Sequence, residues 1–166
     1  MKTSIDAERQ VLGGILLDST VLTQVNMTGL SDKDFSMTNL GLLFKYIREM
    51  QEEEEHIDPL HLRNWIDLGG DHSGEWTSFP YLCTMMEECV GVANIATYAN
   101  HIRNTRINND IENLKVKIDY DNYQTTVTNI QNLEMQLADD EEGSMDNVIS
   151  KTVDYIHDMH TNGTGL

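Results

Sequence analysis

Proline is nearly missing from this chain: Pro59 and Pro80 are the only two in 166 residues. Little therefore interrupts an i→i−4 hydrogen-bond ladder, and helices can run long. Cysteine is equally scarce. Cys83 and Cys89 stand six positions apart, which on one helix points them to different sides, too far apart to bridge. A reduced, intracellular, cytoplasmic protein is expected rather than a disulfide-stapled one. Basic residues are few, with 11 Lys and Arg against 28 Asp and Glu, for a net charge of −17. The acidic excess is even, at 16 acids to 7 bases over residues 1–103 and 12 to 4 over 104–166, so no basic stripe exists. Direct binding to a phosphate backbone is disfavoured, whereas a negative surface suits basic protein partners. No apolar run nears the ~20 residues that span a bilayer, so no membrane partner is expected. The start, Met-Lys-Thr-Ser-Ile-Asp-Ala-Glu-Arg, turns charged too early for a signal peptide.

Catalytic motifs are missing as well. A nucleotide-binding P-loop needs Gly-Lys followed by Ser or Thr, so that backbone amides and the Lys hold phosphates. The six Lys follow Met1, Asp32, Phe44, Leu114, Val116 and Ser150, never Gly. No Gly-x-Ser-x-Gly elbow and no Cys-x-x-Cys pair occurs. The spacings His56-x-Asp58-x-x-His61 and His157-Asp158-x-His160 are of a kind that ligates metal. However, His56 adjoins the Glu52–Glu55 run and His160 adjoins the tail, so solvated side chains are expected at both. Asp71, His72 and Glu75 are read in the same way, as parts of a loop. No catalytic, cofactor-binding or metal-ligating residue is assigned. The nine Met are expected as core filler, and Trp65 and Trp76 as core or loop anchors.

What is present is helical periodicity, and an almost entirely α protein follows. Ser4 or Asp6 caps a first helix from about residue 5 to Leu17, with Val11, Leu12, Ile15 and Leu16 inward and Gly13-Gly14 open to close approach by another helix. Val21, Leu22 and Val25 give a short second helix, and Phe35 is a core anchor. Leu40, Leu42, Leu43, Phe44, Ile47 and Met50 mark a third. Glu52 to Glu55 reads as a solvated end. Asp58-Pro59 starts a fourth helix, as N-cap and first helical residue, with Leu60, Leu62, Trp65, Ile66 and Leu68 expected on its buried face. Pro80 opens a fifth, carrying Tyr81, Leu82, Met85 and Met86, and Gly91 ends that segment.

The stretch Val92–Ile118 contains no Pro or Gly, so one long helix or two nearly continuous ones are allowed. Its apolar residues are dense up to Ile102, as in a helix buried on a broad face. They then thin to a single seam, Ile107, Ile111, Leu114 and Ile118, at steps of four, three and four. After a tight connection a return arm repeats the seam with Tyr123, Val127, Ile130, Leu133 or Glu134, and Leu137. The two arms hold seven Asn between Asn104 and Asn132, a mediocre helix former. One narrow seam per arm buries too little to offset the ordering of roughly thirty residues. The arms therefore need another surface, either the head or the same hairpin of a second subunit; two-fold pairing is the commoner solution. Ser144 caps a last amphipathic helix with Val148, Ile149, Val153, Ile156 and Met159 on one side. That side has no evident home in the chain.

Four segments then stand out in order. They are Ala7-Glu-Arg-Gln-Val-Leu-Gly-Gly-Ile-Leu-Leu-Asp18; Leu30-Ser-Asp-Lys-Asp-Phe35 with Phe44 and Ile47 downstream; Ile57-Asp58 with Leu62; and Pro80-Tyr-Leu82 leading to Ala93-Asn-Ile-Ala-Thr-Tyr-Ala99. With these gaps, over about residues 5–106, the sequence resembles the N-terminal region of DnaB-type replicative DNA helicases. Residues 107–142 are similar to that family's helical hairpin in position and length, 144–160 to its linker helix, and Gly163-Thr-Gly-Leu166 to the start of the link to its motor. Departures exist. Leu40 stands where the family often has His, and Ser78-Phe79-Pro80 replaces its usual Gly-Gly. Together with the acidity they point to a bacteriophage version with altered partner surfaces.

The resemblance implies an all-α fold, with a compact head of about six helices (1–104), a protruding dimerisation hairpin (105–142), an amphipathic linker helix (143–160) and the start of a flexible linker (161–166). It implies hairpin-paired dimers forming a collar, a hexamer built as a trimer of dimers, which is a platform for primase with a helicase loader as a further partner. ATP and Mg belong to the motor domain, and DNA is met only through the full helicase. On this reading Ile107, Ile111, Leu114, Ile118, Val127, Ile130 and Leu137 carry pairing, and Val148, Ile149, Val153 and Ile156 dock the linker helix. The ending Gly-Thr-Gly-Leu, without charge or cap, reads as a cut in a longer helicase. A free-standing phage regulator that binds a host helicase or primase is the alternative, and a metal-dependent hydrolase using the His-Asp pairs is the enzymatic one.

Overall fold

Val11, Leu12, Ile15 and Leu16 recur at steps that fit one helix face, and they are the buried side of α1 (Ile5–Leu17). In the computed structural model the chain is described over residues 4–70, 74–117 and 123–138. Seven α-helices and no strand occur among the described residues, so the fold is all-α. After α1 come α2 (Leu22–Met27), α3 (Thr38–Glu52), α4 (Pro59–Leu68), α5 (Phe79–Glu87), α6 (Ile95–Lys117) and α7 (Tyr123–Ala138). The chain divides into two bodies after Thr105. Residues up to 105 of α6 belong to the first body and the remainder to the second.

The first body is built around Leu12, Ile15, Leu22, Phe44, Ile47, Leu62, Ile66, Leu82, Met85 and Ile95, all fully buried. Phe35 is buried with its ring 5.2 Å from that of Phe44, tilted by 32°. Gly13 lets α1 and α5 touch: a Cβ there would meet the Met85 carbonyl oxygen at 2.3 Å. Gly29 and Gly91 hold φ of +79° and +131°, backbone that L side chains rarely adopt, and each ends a segment. Asp18 restarts the chain after α1, its carboxylate accepting from the N–H and hydroxyl of Thr20 at 3.1 and 2.6 Å. Ser4 occupies the N-cap of α1, but its side chain makes no capping bond.

Two expected core residues are not in the core. Leu60 is 47% exposed and Leu68 87%. Helix α4 buries Leu62 and Ile66, four apart on one stripe, and a residue two positions from either points to the opposite side. Trp65 is half-buried against the core edge. The Glu52–Glu55 run is exposed throughout, and Cys83 and Cys89 are both free.

The second body holds its own apolar cluster. Ile107, Ile111 and Ile130 are buried, with Leu114, Tyr123, Val127, Leu133 and Leu137 packed against them. Ile118, Val148, Ile149, Val153 and Ile156 lie outside the described residues, as do the expected linker helix 143–160 and the segment 161–166. Among the described residues no helix is long and apolar enough to cross a membrane.

Candidate interaction surface

The sequence segments that stand out most are adhesive. Glu8, with no exposed surface, accepts the N–H and the hydroxyl of Ser36, joining α1 to the segment before α3. Arg9 reaches α5, its guanidinium bonded to Glu88 at 2.6 and 3.2 Å and to the Tyr81 hydroxyl at 3.2 Å. The same guanidinium lies 5.5 Å from the Tyr81 ring centroid. The hydrogen bond to Glu88 raises the Arg9 pKa above its ordinary value, against the opposing effect of burial. Gln10 donates to the Glu88 carbonyl and accepts from the Val90 N–H, both at 3.0 Å, closing the end of α5. Residues 8–10 and 81 thus tie α1 to α5 and to the segment before α3.

Of the residues expected to carry pairing, the structure brings six together. Ile107 and Ile130 are 0% exposed and Ile111 5%, facing one another between α6 and α7. Their surface is taken up by the hairpin itself. Leu114, Val127 and Leu137 flank the cluster and remain half-buried. Beyond them Val116 and Met135 are 82% and 56% exposed. Sequence reasoning did not single out either one, because each lies off the seam. At the position left open between Leu133 and Glu134, the carboxylate is the more deeply buried, at 2% exposure, and Leu133 is half-buried. A buried carboxyl group requires polar company, and Glu134 is not without a partner, although its Oε2 makes no hydrogen bond.

The loop before α4 gathers polar groups that the spacing alone left apart. Asp58 caps α4 by accepting the His61 N–H at 2.8 Å. Its second oxygen meets His61 Nδ1 at 2.8 Å and His56 Nε2 at 3.1 Å. Burial pushes the Asp58 carboxyl up. The backbone and side-chain hydrogen bonds from His61, with the charges of His61 and His56, outweigh it and hold the group below the usual carboxylate range.

Comparison with known proteins bears on the whole arrangement. Residues 1–104 match the family described as DnaB-like helicase N terminal domain. The replicative DNA helicase DnaB of Buchnera aphidicola is 27% identical over 105 residues, which is 62% of this chain and 22% of that protein. The chain therefore spans about a fifth of that relative's length. The crystal structure of the N-terminal domain of DnaB helicase from Mycobacterium tuberculosis superposes with a TM-score of 0.65 at 22% identity, covering 79% of this chain and 96% of that one. Since 79% of 166 residues is about 131, the likeness in fold extends beyond the 104 residues of the family match.

Proposed function

This chain belongs to the DnaB-like helicase N-terminal domain family, and from that premise we propose that it is the non-catalytic assembly and partner-binding domain of a hexameric replicative helicase. Two copies pair through the 105–142 hairpin, and three pairs form a collar. The observation that carries this reading is the hairpin's apolar flank. Leu114, Val127 and Leu137 pack against the Ile107, Ile111 and Ile130 cluster without being fully buried by it. A two-helix unit with so narrow a core gains most by burying that flank against a second copy of itself.

On this account Ile107, Ile111 and Ile130 make the hairpin stiff enough to pair, and their neighbours make the contact. The collar recruits primase and a helicase loader, and its acidic surface favours basic patches on those partners. The linker helix, through Val148, Ile149, Val153 and Ile156, docks on the neighbouring subunit's motor. ATP and Mg serve that motor, and this segment meets DNA only through the assembled ring. Sedimentation of the 166-residue chain over a range of concentrations tests the reading. Dimers or hexamers support it, and a monomer at every concentration opposes it.

A further inference from the structure

The turn before α4 and the first turn of that helix bring two histidines, His56 and His61, to the capping carboxylate of Asp58. Asp58 is fixed by its capping bond: Oδ1 accepts the His61 N–H at 2.8 Å. That leaves Oδ2 aimed at two imidazoles, 2.8 Å from His61 Nδ1 and 3.1 Å from His56 Nε2. The two rings stand edge to face, centroids 5.0 Å apart. One ligand-capable atom from each of the three residues lies within 4.8 Å of the other two.

We propose that His56, Asp58 and His61 form a binding site for a divalent transition-metal ion of the zinc class, with its fourth position open to solvent. Four ligands at ~2.1 Å around such an ion stand about 3.4 Å from one another. The oxygen–nitrogen spacings of 2.8 and 3.1 Å open by about 0.6 and about 0.3 Å to reach that, and the ligand nitrogens, within 4.8 Å of each other, draw together as the exposed rings turn. Two imidazoles and one carboxylate are a borderline donor set that suits zinc, nickel, cobalt or copper and not the all-oxygen preference of magnesium or calcium. On binding, each ring presents a lone pair in place of its N–H, by a shift of tautomer.

Access and local charge both favour an ion. The His56 and His61 side chains are 69% and 48% exposed, so the rings can adjust without disturbing the core. The exposed run Glu52 to Glu55 lies immediately upstream, and its negative field concentrates cations at the turn. Spacing in the sequence gives these histidines as solvated; both are exposed, and their convergence on one fixed carboxylate oxygen is what spacing could not reveal.

Calorimetric titration of zinc into the 166-residue chain tests the site. His157 and His160 offer an independent sequence pattern, so the titrations use the His157→Ala/His160→Ala background. The expected result is one ion per chain at micromolar affinity, with no binding of magnesium. His56→Ala and His61→Ala should each weaken zinc at least tenfold. Asp58→Asn keeps a capping side chain and should weaken zinc similarly while helical circular dichroism stays unchanged. Absence of zinc binding in that background, or zinc binding indifferent to His56→Ala and His61→Ala, overturns the proposal.

Discussion

The carboxylate of Glu8 and the first polar groups ahead of α3 are joined twice, one Glu8 oxygen taking the Ser36 N–H and the other its hydroxyl at 2.7 Å. Glu8 has no solvent contact, whereas Ser36 is exposed, so water can take over part of what Ser36 loses if the Glu8 side chain is removed. Glu8→Ala is expected to lower unfolding stability by about 1–2 kcal/mol, because it removes both bonds between α1 and the segment before α3. Glu8→Gln should lose less, since the amide oxygen still accepts one bond. Urea unfolding measures both, and a Glu8→Ala protein as stable as the parent would refute the assignment.

Adjacent glycines of α1 should respond unequally to alanine. At Gly13 a Cβ runs into the Met85 backbone oxygen at 2.3 Å, which cannot yield without moving α5. At Gly14 the closest atom is the Cδ1 tip of Ile95 at 2.9 Å, which can turn aside. Gly13→Ala is expected to cost about 3 kcal/mol, at the upper end for overpacking, and Gly14→Ala about 1 kcal/mol. Thermal unfolding that ranks them in the reverse order would contradict the close approach of α1 and α5.

Asp58 offers a pH-dependent check. Asp58→Ala should cost about 1 kcal/mol through loss of the cap, and Asp58→Asn much less. The folded carboxyl lies below its ordinary value, so its contribution is complete above an unfolded pKa of about 3.9 and fades as pH falls through the folded value. Stability measured down the acid limb should therefore fall less steeply in Asp58→Asn than in the parent. Parallel acid limbs would remove Asp58 from the account.

Much of this architecture is legible in the residues. Asp58-Pro59 and Gly91 punctuate the chain where α4 begins and where the segment after α5 ends, because a cap, a fixed φ and a positive φ are local demands. Leu60 and Leu68 were misplaced because apolar character was counted without its angle about the helix axis. The choice of Glu134 over Leu133 for the more buried position could not be read, since it depends on what lies opposite in the fold and not on hydrophobicity. His56 precedes α4 and His61 lies within it, so no single periodicity relates them; only the backbone turn brings both to Asp58. The apolar seam of α6 and α7 is legible as a seam. That Ile107, Ile111 and Ile130 would be used up inside one hairpin required seeing both arms together.

The account stands on the hairpin flank as an association surface. Leu114 lies on that flank, half-buried beside the cluster, whereas Met135 is exposed two positions from Leu137, on the other side of α7, and serves as the control. Sedimentation equilibrium of the parent, Leu114→Asp and Met135→Asp, each checked for unchanged helical content, is the most direct measurement. The prediction is association in the parent and in Met135→Asp, and monomers with Leu114→Asp. Undiminished dimers with Leu114→Asp would contradict it.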